Sequence, residues 1–501
     1  MILTSSQIHA WDAFTIKNEP IESIDLMERA ALACFKWLEK MNYSSSWFHI
    51  FCGKGNNGGD GLALGRMLLR AGARVNLYIL KGENKGTEDF QINLLRWKEY
   101  SKREINWLSE PSDFPDLSKG GIIIDALFGS GLNRPLDGFN AQLIKYLNEK
   151  AHLTISIDLP SGLRADELQT GDDIIRAHDT LSFQSPKLAF YYPENEKYTG
   201  EIHILDIGLH RGYLENLTVN HYLLKVSKVK SLYKPRQRFS HKGTFGHALI
   251  IAGSYGKIGA VLLSARACLH SGAGLLTIAA PKCAYLVLQT GVPEAMVISD
   301  EKLNKIVDLK LDFSHYQAIG IGPGMGTAEA TRKWLLNQLS KIKRPMVLDA
   351  DALNAIAYEG KWKCIPQNSV ITPHPKEFDR LFGNCENSQE RVQKAIEKAK
   401  ELSCTVILKG HHTLIATPEG KAWFNTTGNS GMATGGSGDV LTGVITGLLA
   451  QGYSPTDASL LGVWLHGRAG DLAANEYGAE ALSASHIIQF LGKAFLSITC
   501  S

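Results

Sequence analysis

The 501-residue chain has almost no excess of charge of either sign: 53 lysines and arginines stand against 50 aspartates and glutamates, a formal net charge of +3. Such a balance gives no electrostatic footprint for a polyanion, and no basic stripe interleaved with aromatics stands out, so a nucleic-acid partner is discounted. No run reaches the roughly 18 to 20 apolar residues needed to span a bilayer. The opening segment MILTSSQIHAWDAFTIKNEPI has neither a basic region nor an apolar one behind it, so the expectation is a cytosolic (cytoplasmic) protein with no membrane partner. Eight cysteines occur, at Cys34, Cys52, Cys268, Cys283, Cys364, Cys385, Cys404 and Cys500, with no CxxC pair and no histidine at zinc spacing. Buried free thiols are expected. Also missing are a GxxxxGK(S/T) loop and a protein-kinase HRD set, which removes the two commonest ways of holding nucleotide phosphates.

Glycine, by contrast, is plentiful. The 48 glycines lie in clusters rather than in a repeat, as they do where backbone approaches a ligand. Short β-branched or aromatic runs alternate with helical patterns: WFHIFC, RVNLYIL, GIIIDALFG, HLTISID and DTLSFQ in the first half, then HALIIAGS, GLLTIAAP, YQAIGIGPG, PMVLDAD, NSVITPHP and TVILKG. This alternation predicts an α/β protein with mostly parallel sheets covered by helices. A helix is expected over about residues 23–38, with Leu26, Ala30, Ala33 and Trp37 on one stripe. The pattern lapses between about Leu209 and Arg238. That places one domain at 1–220, a linker at 221–235 and a second domain at 236–501.

In open α/β sheets ligands sit beyond the carboxyl ends of strands. At the first such end, Gly53 to Gly61 reads GKGNNGGDG. Glycine NH groups and a following helix N-terminus suit a phosphate or pyrophosphate, although a tight turn without ligand has the same glycines. Asp125 in IIIDALFGSGL and Asp158 in ISIDLPSGL end two more strands. Singly each reads equally as a helix cap; together with Asp60 they can form a hard-cation site or an acid/base.

These residues carry a resemblance. GNNGGDG, DALFGSGL, DLPSGL and the LMERAA helix look like the epimerase part of the NAD(P)H-hydrate repair proteins over roughly residues 5–210. The resemblance implies a Rossmann-like three-layer αβα domain. It implies that Asn56, Asn57, Gly58, Gly59 and Asp60, with Gly129, Ser130, Gly131, Leu132, Asn133, Arg134 and Pro135, bind the hydrated dinucleotide. It further implies that Asn57, Asp125 and Ser161 bind a potassium ion (K+), and that Asp158 faces the hydrated nicotinamide as the acid/base that inverts the hydroxyl-bearing carbon. Ser130 stands where the family more often has threonine, and the hydroxyl is kept.

In the second half NSGMATGGSGDVLTGVITGLLAQG begins at Asn429. Gly435, Gly436 and Gly438 can present NH groups at the start of a helix with Leu441, Val444 and Leu448 on one stripe, and Asp439 sits at its mouth as a base for a hydroxyl. A flexible linker is the bland alternative. A GxGD segment at a helix N-terminus resembles the ribokinase-like superfamily. With HKGTFGHALIIAGSYGKIGAVLL from His241, GIGPGMG from Gly320, VLDADALNAI, VITPHPKEFDRLFG from Val370 and VILKGHHTLI from Val406, the match narrows to the dehydratase part of the same repair system, over about residues 236–495. It implies a ribokinase-like αβα domain in which Lys409, Gly410, His411, His412, Thr413 and Gly438 hold ADP or AMP. Ala260, Gly324, His374 and Asp439 would contact the hydrated cofactor. Taken alone, Lys409–Gly410 reads equally as a strand-end turn and His374 as a capping or packed histidine. His466 and Arg468 read as packing or surface groups, and His241 is a candidate for substrate contact.

The implied function is a bifunctional repair enzyme that epimerises R- and S-hydrates of NADH and NADPH (NADHX and NADPHX). It dehydrates the S form with ADP, giving AMP and phosphate, with Mg2+ on the nucleotide. Fused bacterial relatives favour ADP; ATP is the alternative donor. Relatives imply assembly as a homo-oligomer. The rival readings are a vitamin-precursor kinase of the ribokinase-like superfamily, with a stable phosphorylated product, and an N-terminal module that binds a protein partner.

Overall fold

The structure, a computed structural model, describes residues 1–43, 46–101, 103–132 and 134–499. The chain forms two compact units, Met1–Val219 and Asn220–Ser501.

The first unit is built on a seven-stranded, wholly parallel sheet. Its spatial order is Asn106–Leu108, Arg74–Leu80, Trp47–Cys52, Ile122–Ala126, Leu153–Ile157, Asp179–Phe183, Glu201–Leu205. Successive side chains of a strand face opposite sides of the sheet. Phe48, Ile50, Ile122 and Ile124 accordingly enter one apolar core, shared with the helices Ser23–Lys40 and Asn56–Arg70, while Phe51 and Ile123 enter another with Leu143, Ile144 and Leu147 of the helix Gly138–Lys150. Burial on both faces is why these strands are apolar throughout rather than alternating. Within Ser23–Lys40 the buried line runs Met27, Ala31, Cys34, Leu38 with Leu26 and Ala30 beside it. The expected Ala33 and Trp37 are only half-buried, because the stripe is rotated by about one position and Trp37 packs at its margin on His203, ring centroids 4.7 Å apart.

Strand Trp47–Cys52 pairs with Arg74–Leu80 on one side and with Ile122–Ala126 on the other. Chain order reverses there, so the loops leaving Cys52 and Ala126 diverge and open a crevice at the carboxyl end of the sheet.

The second unit has a ten-stranded sheet, ordered Met296–Ser299, Leu275–Ala280, His247–Ile251, Ala318–Ile321, Met346–Leu348, Val370–Ile371, Thr405–Leu408, Thr413–Ala416, Ala422–Asn425, His221–Leu223. It is parallel except where Thr413–Ala416 runs antiparallel to both its neighbours. Helix Ser437–Ala450 is buried along nearly its whole length. It lies close against the helix Ile258–His270 because Gly443 and Gly447 have no side chains: a Cβ on Gly443 would fall 2.1 Å from the Ser264 carbonyl oxygen.

The stretch 221–235 is not the linker expected. His221–Leu223 is a strand paired with Ala422–Asn425, and Val226–Leu232 is a helix. Leu224 and Val229 are buried in the second unit's core, so the polar residues of this stretch are only the outer face of packed elements.

All seven described cysteines are free: Cys34, Cys52, Cys268 and Cys404 are buried, while Cys283, Cys364 and Cys385 are partly exposed. Cys500 lies outside the described residues. Among the described residues, no helix is long and apolar enough to cross a membrane.

Candidate active sites

The N-terminal crevice holds a cavity of about 660 Å³. Of the expected ligand-binding residues, Asn56, Asn57, Asp60, Gly129, Ser130, Gly131, Leu132 and Asp158 line it, joined by Asp12, Lys54 and Lys187. Helix begins at Asn56 with Gly55 as its N-cap, so the NNGGDG run is the first turns of the helix rather than a loop before it. Gly58 and Gly59 serve packing. A Cβ on Gly58 would be 1.9 Å from the Gly53 carbonyl oxygen, and one on Gly59 would be 2.6 Å from Met27 Sδ. Both glycines are buried and neither lines the cavity. Arg134 and Pro135 are exposed and do not line it either, and Asn133 lies outside the described residues.

Asp158 follows strand Leu153–Ile157 in a left-handed conformation, φ +64°. A non-glycine residue held there stores strain of a kind common at functional sites. Its Oδ2 accepts a hydrogen bond from the Ser130 NH at 3.1 Å, and its Oδ1 is 3.0 Å from Lys187 Nζ. Burial pushes this carboxyl up, but Lys187 and the Ser130 hydrogen bonds outweigh it and hold Asp158 below the usual carboxylate range. Lys187 gave no signal in the sequence, where PKL reads as an ordinary surface lysine.

Asp125 is fully buried and accepts from Ser161 Oγ at 2.5 Å, from the Ser161 NH at 2.8 Å and from Ser156 Oγ at 2.8 Å. Burial pushes it up despite these donors. The loop after Ala126 joins this cluster to Asn57: the Phe128 NH donates to Ser161 Oγ at 2.8 Å, and a Cβ on Gly129 would be 3.3 Å from the Asn57 side chain. Both Asn57 amide atoms are buried and have no hydrogen-bond partner among the described residues. A buried unpartnered amide oxygen, joined through this loop to a buried carboxylate, is oxygen chemistry that fits a hard cation.

In the second unit, Gly436 takes φ +91° as N-cap of the helix Ser437–Ala450, placing Asp439 in its first turn. Lys409 Nζ is 2.9 Å from Asp349 Oδ1 and 3.8 Å from Glu377 Oε2. Thr442 Oγ1 donates to the other Asp349 oxygen at 2.7 Å. A Cβ on Gly438 would be 3.4 Å from Lys409 Nζ, so Lys409, Gly438 and Asp439 converge. Burial and then the Asp349 charge push Asp439 up to about 6, against the pull of Lys409. Burial lowers Lys409, yet Asp349 and Glu377 outweigh it and the ammonium is held above its ordinary value. Asp349 and Glu377 are not among the candidates that the sequence pattern offers. Asp349 ends strand Met346–Leu348 in VLDAD, the same kind of position as Asp125 and Asp158, and that was the available signal.

Lys409 to His412 form the turn between Thr405–Leu408 and Thr413–Ala416, with Thr413 Oγ1 donating to the Gly410 carbonyl at 3.0 Å. His411 is exposed; burial and the neighbouring His411 pull His412 down to about 4. Gly324, at φ +61°, faces Ala260, its added Cβ falling 3.0 Å from the Ala260 Cβ. His374 caps the helix Pro375–Phe382, its Nδ1 accepting from the Lys376 NH at 3.1 Å, with its side chain 43% exposed. His241 is exposed and caps a 3-10 turn at Lys242–Phe245. His466 is buried, its Nε2 donating to the Ser437 carbonyl at 3.0 Å.

Two family models match: one described as NAD(P)H-hydrate dehydratase over residues 248–493, and one described as YjeF-related protein N-terminus over residues 23–189. The bifunctional NAD(P)H-hydrate repair enzyme of Moorella thermoacetica is 34% identical, over 98% of this chain and 96% of its own. The chain belongs to the bifunctional NAD(P)H-hydrate repair enzyme family. Members of that family in Escherichia coli (31% identical, 93% of this chain and 88% of that one) and Leishmania braziliensis (30%, 96% and 92%) are also similar. Among solved structures, a ribokinase-like superfamily protein of Enterococcus faecalis is 28% identical with a TM-score of 0.50, over 57% of this chain and 99% of its own. The ADP/ATP-dependent NAD(P)H-hydrate dehydratase of Bacillus subtilis, co-crystallized with ATP and Mg2+, is 31% identical with a TM-score of 0.48, over 56% and 100%. The repair-enzyme family thus pairs an N-terminal unit and a ribokinase-like one, and the junction at Val219 falls between the two matched spans.

Proposed function

We propose that the N-terminal unit interconverts the R and S hydrates of NADH and NADPH, and that the C-terminal unit dehydrates the S hydrate with ADP, releasing AMP and phosphate. The observation that carries the reading is Asp439: a half-buried carboxylate in the first turn of a glycine-capped helix, beside a lysine held by Asp349.

The hydrate carries a hydroxyl, and hydroxide leaves poorly at neutral pH. Asp439 takes the hydroxyl proton as the oxygen attacks the terminal phosphoryl group of the nucleotide. Lys409 and the backbone NH groups around Gly438 meet the charge that develops on that group. The carbon–oxygen bond then breaks with its electron pair going to the phosphate, the ring nitrogen's lone pair forms a carbon–nitrogen double bond, and loss of a proton from the neighbouring ring carbon to the departing phosphate returns that pair to nitrogen and restores the dihydronicotinamide. Mg2+ would be carried by the nucleotide's phosphates, whose charge it would neutralise. His374, Ala260 and Gly324 are proposed to border the dinucleotide, and Lys409 to Thr413 the adenine nucleotide. In the N-terminal unit, Asn57, Asp125 and Ser161 would hold a potassium ion that fixes the loop 127–131 under the substrate. Asp158 is the acid/base that faces the ring.

Purified S-NADHX incubated with ADP or with ATP tests the donor directly. Restored NADH with stoichiometric AMP and phosphate is expected with ADP. Accumulation of a stable phosphorylated product would instead make the second unit a small-molecule kinase.

A further inference from the structure

Inverting a carbon that bears a hydroxyl takes two proton movements: one to the oxygen that departs and one from the water that returns. Lys187 keeps Asp158 ionised, so in its resting form it accepts a proton and another group is needed to supply one. The helix Ser5–Asn18 brings a second carboxyl into the same cavity. Asp12 lines it together with Ile8 and His9, the i and i+4 spacing of Ile8 and Asp12 placing both on one helical face.

The helix is firmly seated. Its first NH, on Ser5, donates to Asp166 Oδ2 at 3.0 Å. Trp11 Nε1 donates to the His210 carbonyl at 2.9 Å, and Thr15 Oγ1 accepts from the His210 NH at 3.0 Å. Asp12 is half-buried, and among the described residues none forms a hydrogen bond or ion pair with its carboxyl. The charged groups around it are Asp158 and Lys187 from the loops that follow two strands, Asp60 from the helix Asn56–Arg70 and Asp89 from the helix Glu88–Tyr100, with His9 on its own helix. Burial and the Asp158 charge push Asp12 up to about 7, against Lys187, so at neutral pH a large share of molecules carry a proton there.

We propose that Asp12 is the second acid–base group of the epimerase site, its carboxylic acid protonating the hydroxyl that leaves the hydrated ring while Asp158 accepts the proton of the water that returns to the opposite face. The carbon–oxygen bond breaks with its electron pair going to oxygen, and the Asp12 proton makes the leaving group water. The adjacent ring nitrogen supplies its lone pair to form a carbon–nitrogen double bond, whose positive charge lies beside the Asp158 carboxylate. Water then adds to the same carbon from the other face, the nitrogen recovers its pair, and the added water gives its proton to Asp158. Such a water is acidic, so a weak base suffices. The proton returns from Asp158 to Asp12 through solvent, and the reverse epimerisation runs with the roles exchanged.

This inference rests on the epimerase reading of the N-terminal unit, and the test separates the two. Epimer exchange of R-NADHX is followed on the full chain for the wild type, Asp12→Asn and Asp12→Glu. Asp12→Asn is expected to lower kcat by about 100-fold or more with KM changed by less than about threefold, while Asp12→Glu, which keeps the acid, retains part of the rate. The wild-type rate is expected to fall as the pH rises through about 7, and that limb to vanish in Asp12→Asn. Wild-type exchange with an unimpaired Asp12→Asn, or equal losses in Asn and Glu variants, would overturn the assignment of Asp12 alone. A wild type that leaves the epimers unexchanged overturns the epimerase reading and this inference with it.

Discussion

Lys187 Nζ lies 3.0 Å from Asp158 Oδ1, on a lysine side chain only 1% exposed. The same ammonium donates to the carbonyls of Phe183 at 3.1 Å and Ser185 at 3.3 Å, so all three of its protons are used. Such a pair contributes little net stability as a unit, but breaking it leaves one charge buried and unmatched. Lys187→Met is therefore expected to destabilise the N-terminal unit by about 3 kcal/mol or more in thermal denaturation, and to abolish epimer exchange. Adding Asp158→Asn to that variant should recover part of the stability and none of the activity. A Lys187→Met chain as stable as the wild type would deny the pair its role.

Replacement of Asp439 by asparagine should abolish dehydration, a loss of about 100-fold to 10,000-fold for a missing general base, while leaving epimer exchange intact. Asp158→Asn should do the reverse. Loss of both activities in one well-folded variant would contradict the division of labour between the units.

The pH dependence of dehydration follows from the same residue. Asp439 acts as a base only when ionised, and it ionises at about 6; the rate should rise as the pH is raised through that value. Its stability effect has the opposite sense. A carboxyl whose proton is held more tightly in the folded state stabilises the fold at pH below its unfolded value, and that stabilisation is lost as the pH rises through about 6. The inactive Asp439→Asn chain should consequently melt higher than the wild type at pH 8, by an amount worth about 1 to 2 kcal/mol. Equal melting temperatures at pH 8 would show that Asp439 is not held in a destabilising field.

Potassium supplies a further test. The two orphaned amide atoms of Asn57 predict that replacing KCl with tetramethylammonium chloride at constant ionic strength lowers the melting temperature and slows epimer exchange. Asn57→Leu should remove that sensitivity. An Asn57→Leu chain that responds to potassium as the wild type does would place the ion elsewhere.

The packing glycines make a prediction that a phosphate-loop reading does not. A Cβ at position 58 would lie 1.9 Å from the Gly53 carbonyl oxygen, and backbone cannot yield as a side chain does. Gly58→Ala is expected to cost about 1 to 3 kcal/mol and to lower thermal stability even with no ligand present. Gly55→Ala, where a Cβ would meet nothing within 4 Å, should cost only alanine's poorer fit at the helix N-cap, about 1 kcal/mol or less.

Much of this protein is local and was legible as such. Apolar runs ending in glycine or aspartate mark strand ends, and alternation with helices implies parallel sheets, because a parallel crossover needs a helix's length of chain. Asp125, Asp158, Asp439 and Lys409 could be picked out for that reason: each stands where a strand or helix terminates. Tertiary structure alone decided what those groups are electrostatically and who their partners are. Lys187 meets Asp158 from 29 positions away, Asp349 meets Lys409 across 60 and Thr442 across 93. Asp12 reaches its cavity from the helix Ser5–Asn18, whose sequence carries no motif. The residues 221–235 read as a polar linker in sequence, but Leu224 and Val229 are buried in the second unit's core. A residue's type and spacing are properties of the chain, whereas its burial and the charges around it are supplied by segments distant in sequence, and these set proton affinity and the cost of an unmatched charge.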